Sequence, residues 1–224
     1  MSTFVPPILG FDTRDAEARA ARAAGWRRGE LMWERLQERG NACFDAGDGA
    51  GAARAWRRAW WLGLILFDRG DPRRATGLAN LAHVDRLAGR EARARRRFAA
   101  ALRMWGGVDD FIAGMSIARR GRSSMFHLRM ENRHWDTYCE NLRRRMRAFA
   151  AESAGALHAL ANGEPVQCRL SRRWRGEKPA VFDDTRRFLA AALLIGGGAQ
   201  QPPAARGQDG ATWPAGAARM QDHS

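Results

Sequence analysis

The apolar positions of this chain fall into helical rather than alternating order. Trp135, Tyr138, Cys139, Leu142, Met146, Phe149, Leu157 and Leu160 recur at spacings of three, four and eight, which predicts a long helix capped near Asp136 and ended by Asn162 and Gly163. Residues 60 to 67 are apolar on every side of a helix, so several neighbours are expected to cover them. Near the C-terminal end, Asp183 or Asp184 starts a short helix through the apolar run 188 to 195. At the other end, Pro6 and Pro7 forbid a helix, while Phe4, Val5, Ile8, Leu9 and Phe11 form a sticky extended arm expected to pack across the first helices. Asp12 or Thr13 is then placed to cap a helix to about Ala24, with Asp15 and Glu17 in its first turn, and Gly25 and Gly29 loosen the chain after it.

Between these ends the pattern repeats. Leu36 corresponds to Leu78, Gly40 to Ala82, Gly47 to Gly89, Ala52 to Ala94, Trp56 to Phe98 and Ala59 to Ala101, each pair 42 residues apart. A shared offset of this kind marks an internal repeat. Two helices can approach closely only where small side chains let the backbones cross, and Gly40 with Ala52, then Ala82 with Ala94, meet that need. Trp56 and Phe98 are expected to fill the space between neighbouring hairpins, and Gly47 and Gly89 to end the first helix of each pair in a left-handed cap.

These residues resemble the tetratricopeptide repeat, through Leu36, Gly40, Asn41, Ala42, Phe44, Gly47, Asp48, Ala52, Trp56 and Ala59, and again through Leu78, Asn80, Leu81, Ala82, Gly89, Ala94, Phe98 and Ala101, with Pro72 ahead of the second hairpin. The likeness covers residues 31 to 106. Its offset exceeds the family's usual period of about 34 by roughly two helical turns, a surplus assigned to a lengthened second helix through residues 60 to 67. Cys43 and Asp85 stand where the family prefers tyrosine. The resemblance implies an all-α, short solenoid of helical hairpins, closed by a C-terminal capping helix and followed by a disordered tail. It also implies a concave groove that binds another protein's segment, lined by Gln37, Asn41, Phe44, Asn80, His83 and Arg86. Asparagine suits such a groove because its amide both donates to and accepts from a peptide backbone. The cationic clamp some members use on a terminal carboxylate is not supported, because the corresponding positions fall near Asp110 and Gly114.

From Val108 a degenerate third hairpin is expected, packed by Ile112 and Met115 and interrupted at Gly121. The chain thus divides into an N-terminal arm and helix (1–30), a repeat-like helical domain (31–163), a basic connection and capping helix (164–195), and a Gly-, Ala-, Pro- and Gln-rich tail (196–224).

Composition bears on partners more than on fold. Helix formers dominate the 224 residues and β-branched residues are scattered, which excludes a sheet protein. The net charge is +14, carried almost wholly by arginine, since Lys178 is the only lysine. A G- and C-rich coding sequence also favours arginine, but the excess still creates a positive field suited to acidic partners. Cys43, Cys139 and Cys168 match no zinc or redox spacing and fit a reducing, cytoplasmic setting, and the chain shows neither a signal-peptide pattern nor a membrane-length apolar run.

No phosphate-binding glycine loop occurs, Ser123 and Ser124 form no recognisable triad, and His127, His134 and Cys139 are badly spaced for a metal. The sequence therefore points to a non-catalytic scaffold without cofactor or metal, an accessory or chaperone-like factor binding a protein segment. The rival is an arginine-rich nucleic-acid or polyanion binder, using Arg143, Arg144, Arg147, Arg172, Arg173 and the base-stacking Trp174. Self-association through the Trp-rich helix is a third expectation.

Overall fold

A computed structural model of the chain describes residues 15–118, 132–164 and 182–196. The protein is all-α, and no strand occurs among the described residues. The helices are α1 (Ala16–Ala23), α2 (Arg28–Asp45), α3 (Gly49–Leu66), α4 (Pro72–Leu87), α5 (Glu91–Trp105), α6 (Val108–Ala113), α7 (Asn132–Asn162) and α8 (Asp184–Leu193). The N-terminal arm, Gly121, most of the basic connection and the tail beyond Gly196 lie outside the described residues.

Short turns make the two hairpins. Gly47 between α2 and α3 and Gly89 between α4 and α5 take φ of 80° and 70°, a conformation that only glycine enters without strain, and each chain then reverses into the next helix. Asp48 accepts from the Gly51 amide to cap α3, and Asp71 accepts from the Arg73 amide ahead of Pro72 at the start of α4. α1 is capped by Asp15 rather than Asp12 or Thr13, its carboxylate accepting from the Glu17 and Ala18 amides.

The small residues of the repeat lie in the packed interior. Ala52, Ala82, Ala94 and Ala101 are fully buried. A β-carbon on Gly40 would fall on the Trp56 indole, so the glycine makes room for that ring. Trp56 and Phe98 are each 0 % exposed, packed from either side towards α4 with the His83 ring between them. α3 packs on both α2 and α4, and α5 on both α4 and α7. Ile112 and Met115 are buried in the same core, and the Trp105 indole donates to the Ala150 carbonyl of α7 at 3.0 Å.

Two further expectations change. α3 reaches Leu66, but its apolar run is not covered on every side: Trp61 and Ile65 are 66 % and 80 % exposed. Its neighbours α2 and α4 cover two sides, leaving the outer face in water. α7 begins at Asn132, so Asp136 lies one turn inside it rather than at its cap. α8 packs on α4 and α7. Its Phe188, Leu189 and Ala191 are buried against Ala75 and Ala79 of α4 and Met146 and Phe149 of α7, because those alanines leave α4 flat enough to admit another helix.

Candidate functional site

α2 and α4 run side by side. Arg73 donates to Glu30 at 3.0 Å and Asn80 to Gln37 at 2.7 Å, both pairs 43 residues apart in sequence, so one register holds along the two helices. Each helix contributes a polar stripe at helical spacing: Glu30, Glu34, Gln37 and Asn41 on α2, and Arg73, Thr76, Asn80 and His83 on α4. All eight residues are buried. Buried polar groups at this density demand partners: Arg73 takes Glu30 and Asp71, Gln37 takes Asn80, and the C-terminal segment supplies partners to Asn41, Thr76, Asn80, His83, Glu30 and Glu34.

The segment enters as α8 and leaves through Leu194, Ile195 and Gly196. The Thr76 hydroxyl donates to the Ala191 carbonyl at 2.5 Å. The Leu194 carbonyl accepts from the Asn41 amide at 3.2 Å and from the Asn80 amide at 2.8 Å. Asn80 Oδ1 in turn accepts from the Gly196 N–H at 2.7 Å, and His83 Nε2 meets the Gly196 carbonyl at 2.5 Å. Asn41 is itself oriented by the Trp56 indole N–H, which donates to its Oδ1 at 3.0 Å. A β-carbon at position 196 would stand 2.8 Å from the Trp56 ring and 3.2 Å from Asn80 Oδ1, so the seat has the shape of a glycine.

The opposite end of the groove is acidic, although the whole chain is basic. Arg186 donates to Glu34 at 2.8 Å and to Glu17 at 2.6 Å, and Arg187 to Glu30 at 3.1 Å. Trp26 and Phe182 close over Arg186, whose guanidinium lies 4.1 Å from the Phe182 centroid. Burial pushes the Arg186 pKa down, but the hydrogen bonds and charge of Glu34, and then those of Glu17, outweigh it and raise the value. Glu30 behaves as the mirror image: burial raises its pKa, while the Arg27 N–H and the charges of Arg73 and Arg187 bring it below the usual carboxylate range. His83 is pushed down to about 4 by burial among Phe44, Trp56 and Phe98, with Arg86 adding to the effect against the Gly196 hydrogen bond. It is therefore neutral at ordinary pH and can hold the Gly196 carbonyl as an N–H donor.

The sequence-predicted groove residues thus converge. Gln37, Asn41, Asn80 and His83 line one strip, Phe44 packs on Trp56 and His83, and Arg86 sits over Phe98 while donating to the Leu160 carbonyl of α7. What lies on them is the protein's own C-terminal segment. Thr76, Glu30, Glu34, Arg186, Arg187 and Gly196 were not among the predicted residues. The stripes on α2 and α4 are the signal that could have found the first three.

The predicted anion cluster is less concentrated. Arg143 donates to the Met115 carbonyl, Arg144 to Asn141 and Arg147 to Glu140, while Arg172, Arg173 and Trp174 lie outside the described residues. Arg90, Arg93 and Arg97 all converge on buried Asp85, the residue standing where the resemblance would place a tyrosine. Among the described residues, no group of three His, Cys, Asp or Glu could hold a metal ion, and no helix is long and apolar enough to cross a membrane. No protein-family model, curated protein or solved structure matches this chain.

Proposed function

We propose that the chain is a non-catalytic interaction scaffold of tetratricopeptide-like hairpins, an accessory or assembly factor of the cytoplasm that binds a partner's segment between α2 and α4. The observation that supports it is the treatment of residues 191 to 196: Thr76, Asn41, Asn80 and His83 hold main-chain carbonyls and one main-chain amide of a peptide segment, bonds that need no particular side chain from the occupant. A partner enters by displacing the resident segment. The test is an affinity pull-down with mass spectrometry, comparing the intact chain with an Asn41→Ala, Asn80→Ala variant. Partners held in the groove are lost from the variant, whereas a partner list unaffected by the substitutions refutes the groove.

A second reading, polyanion binding, is favoured by Arg90 and Arg93, whose side chains are 47 % and 54 % exposed while three guanidinium groups share the one Asp85 carboxylate. Phosphate contacts of that kind weaken steeply with salt. A titration of the chain with a random oligonucleotide at two salt concentrations separates the readings: steep loss of affinity supports the polyanion reading, and no binding at either salt removes it.

A further inference from the structure

We infer, on the groove reading above, that the resident segment is a built-in competitor and that the partner segment is a helix of the same chemistry: two adjacent arginines at its start, a Phe-Leu pair after them, and a glycine-ended turn at its close. The groove selects each part separately. At one end Glu30, Glu34 and Glu17 surround Arg186 and Arg187, so an acidic partner helix would set like charges together. In the middle, Ala75 and Ala79 leave space that Phe188 and Leu189 fill against Phe149 and Met146. At the far end Trp56 and Asn80 admit no β-carbon, and the side chains there read only backbone.

This reverses, for this site, the expectation that a strongly basic protein takes an acidic partner. The net charge of +14 belongs to the chain as a whole, whereas this groove has a carboxylate-lined mouth. A segment tethered in the same chain competes at an effective concentration of roughly millimolar, so an external helix must either bind far more tightly or meet a chain whose own segment has been released.

The experiment uses the full chain and a fluorescein-labelled peptide spanning residues 182–196, amidated at its end. Fluorescence anisotropy is read for the wild-type chain and for a chain weakened by Arg186→Ala and Gly196→Val. The weakened chain is expected to bind the peptide at least ten-fold more tightly than wild type, and peptides carrying R186A or G196V are expected to bind it at least ten-fold more weakly. Equal affinity of the two chains, or indifference to the peptide substitutions, overturns the inference. If the weakened chain forms dimers that exclude the peptide, the occupant is a second copy and the inference is wrong.

Since the weakened chain can lose its fold, amide hydrogen exchange on the wild-type chain supplies an independent arm. Amides 188 to 196 are expected to exchange through an opening that leaves α4 and α5 protected, and exchange of all three only together rejects a displaceable segment. The two levels also fail separately. A pull-down partner lost with Asn41→Ala, Asn80→Ala but lacking any arginine-led helix leaves the groove standing and removes the proposed chemistry of its ligand.

Discussion

Asn80 grips the chain around Gly196 with both ends of its amide, Oδ1 accepting from the Gly196 N–H at 2.7 Å while Nδ2 donates to the Leu194 carbonyl at 2.8 Å. The same Nδ2 also donates to Gln37, so one buried side chain joins α2, α4 and the C-terminal segment. Truncating it leaves the Gly196 N–H and the Gln37 Oε1 without the partner they have here, while the Leu194 carbonyl keeps only its bond from Asn41.

Asn80→Ala is therefore expected to lower stability by roughly 2 to 4 kcal/mol, from buried groups that each cost about 1 to 3 kcal/mol when unpaired. Asn80→Asp should not rescue it, because Nδ2 faces two acceptors, the Gln37 Oε1 and the Leu194 carbonyl, and a carboxylate offers neither a donor. Urea denaturation of the three chains decides the matter: a midpoint for Asn80→Asp equal to wild type contradicts the assigned bonds.

The two glycines at Gly40 and Gly155 should respond in opposite directions to alanine. Both lie inside helices, where alanine is intrinsically better by about 1 kcal/mol. At Gly155 nothing stands within 4 Å of the added methyl, so Gly155→Ala should stabilise by roughly that amount. At Gly40 the methyl lands on the buried Trp56 indole, so Gly40→Ala should destabilise by about 1 to 3 kcal/mol despite the better propensity. Thermal melts of both variants check this, and a neutral Gly40→Ala would show that the hairpin has room the packing denies.

Much of this scaffold was legible in the chain because steric demands leave marks in residue size. The 42-residue offset picked out Ala52, Trp56, Ala94 and Phe98, all of them buried, and put Gly47 and Gly89 in left-handed turns, which is how the backbone takes them. Gln37, Asn41, Asn80 and His83 could be named together because the tetratricopeptide resemblance points to them, and they are all buried. The occupant of their groove was not legible. The segment is held chiefly through the carbonyls of Ala191, Leu194 and Gly196, groups that every residue possesses, and pairing Arg186 with Glu34 spans 152 residues without any local pattern. Trp61 and Ile65 misled in the other direction, because an apolar run says nothing about how many neighbours a helix has.

Arg186 and Glu34 form a buried pair, with side chains only 4 % and 1 % exposed. Removing Arg186 strands Glu34 away from water, and removing Glu34 leaves buried Arg186 with only the part-exposed Glu17, losses of a kind that typically cost about 3 to 5 kcal/mol. Arg186→Met and Glu34→Leu should each destabilise on that scale. The double variant Arg186→Met, Glu34→Leu should recover part of the loss, because apolar replacement of both partners removes the stranded charge, although Glu17 still loses its contact with Arg186. A double-mutant cycle in urea measures the coupling, and strict additivity of the two single effects would disprove a direct buried pair.

The pH dependence of stability should carry the signature of His83. Its folded pKa is depressed from 6.5 to about 4, chiefly by burial, so between those values the unfolded chain takes up a proton that the folded chain refuses. The contribution is fully present above about pH 6.5, falls as the pH drops towards 4, and is constant below that, with a slope approaching 1.4 kcal/mol per pH unit. Glu30, whose pKa is lowered from 4.5, adds a loss of the same sign only below about pH 4.5, so it does not account for a fall between 6.5 and 4.5. Stability measured in urea at pH 7.0, 6.0 and 5.0 should therefore fall steadily in the wild type. A His83→Gln chain keeps a donor for the Gly196 carbonyl but has nothing to titrate, so its stability should change much less over the same range. Parallel slopes for the two chains would mean that His83 does not remain neutral in the folded protein, and that the Gly196 carbonyl is held by a protonated ring instead.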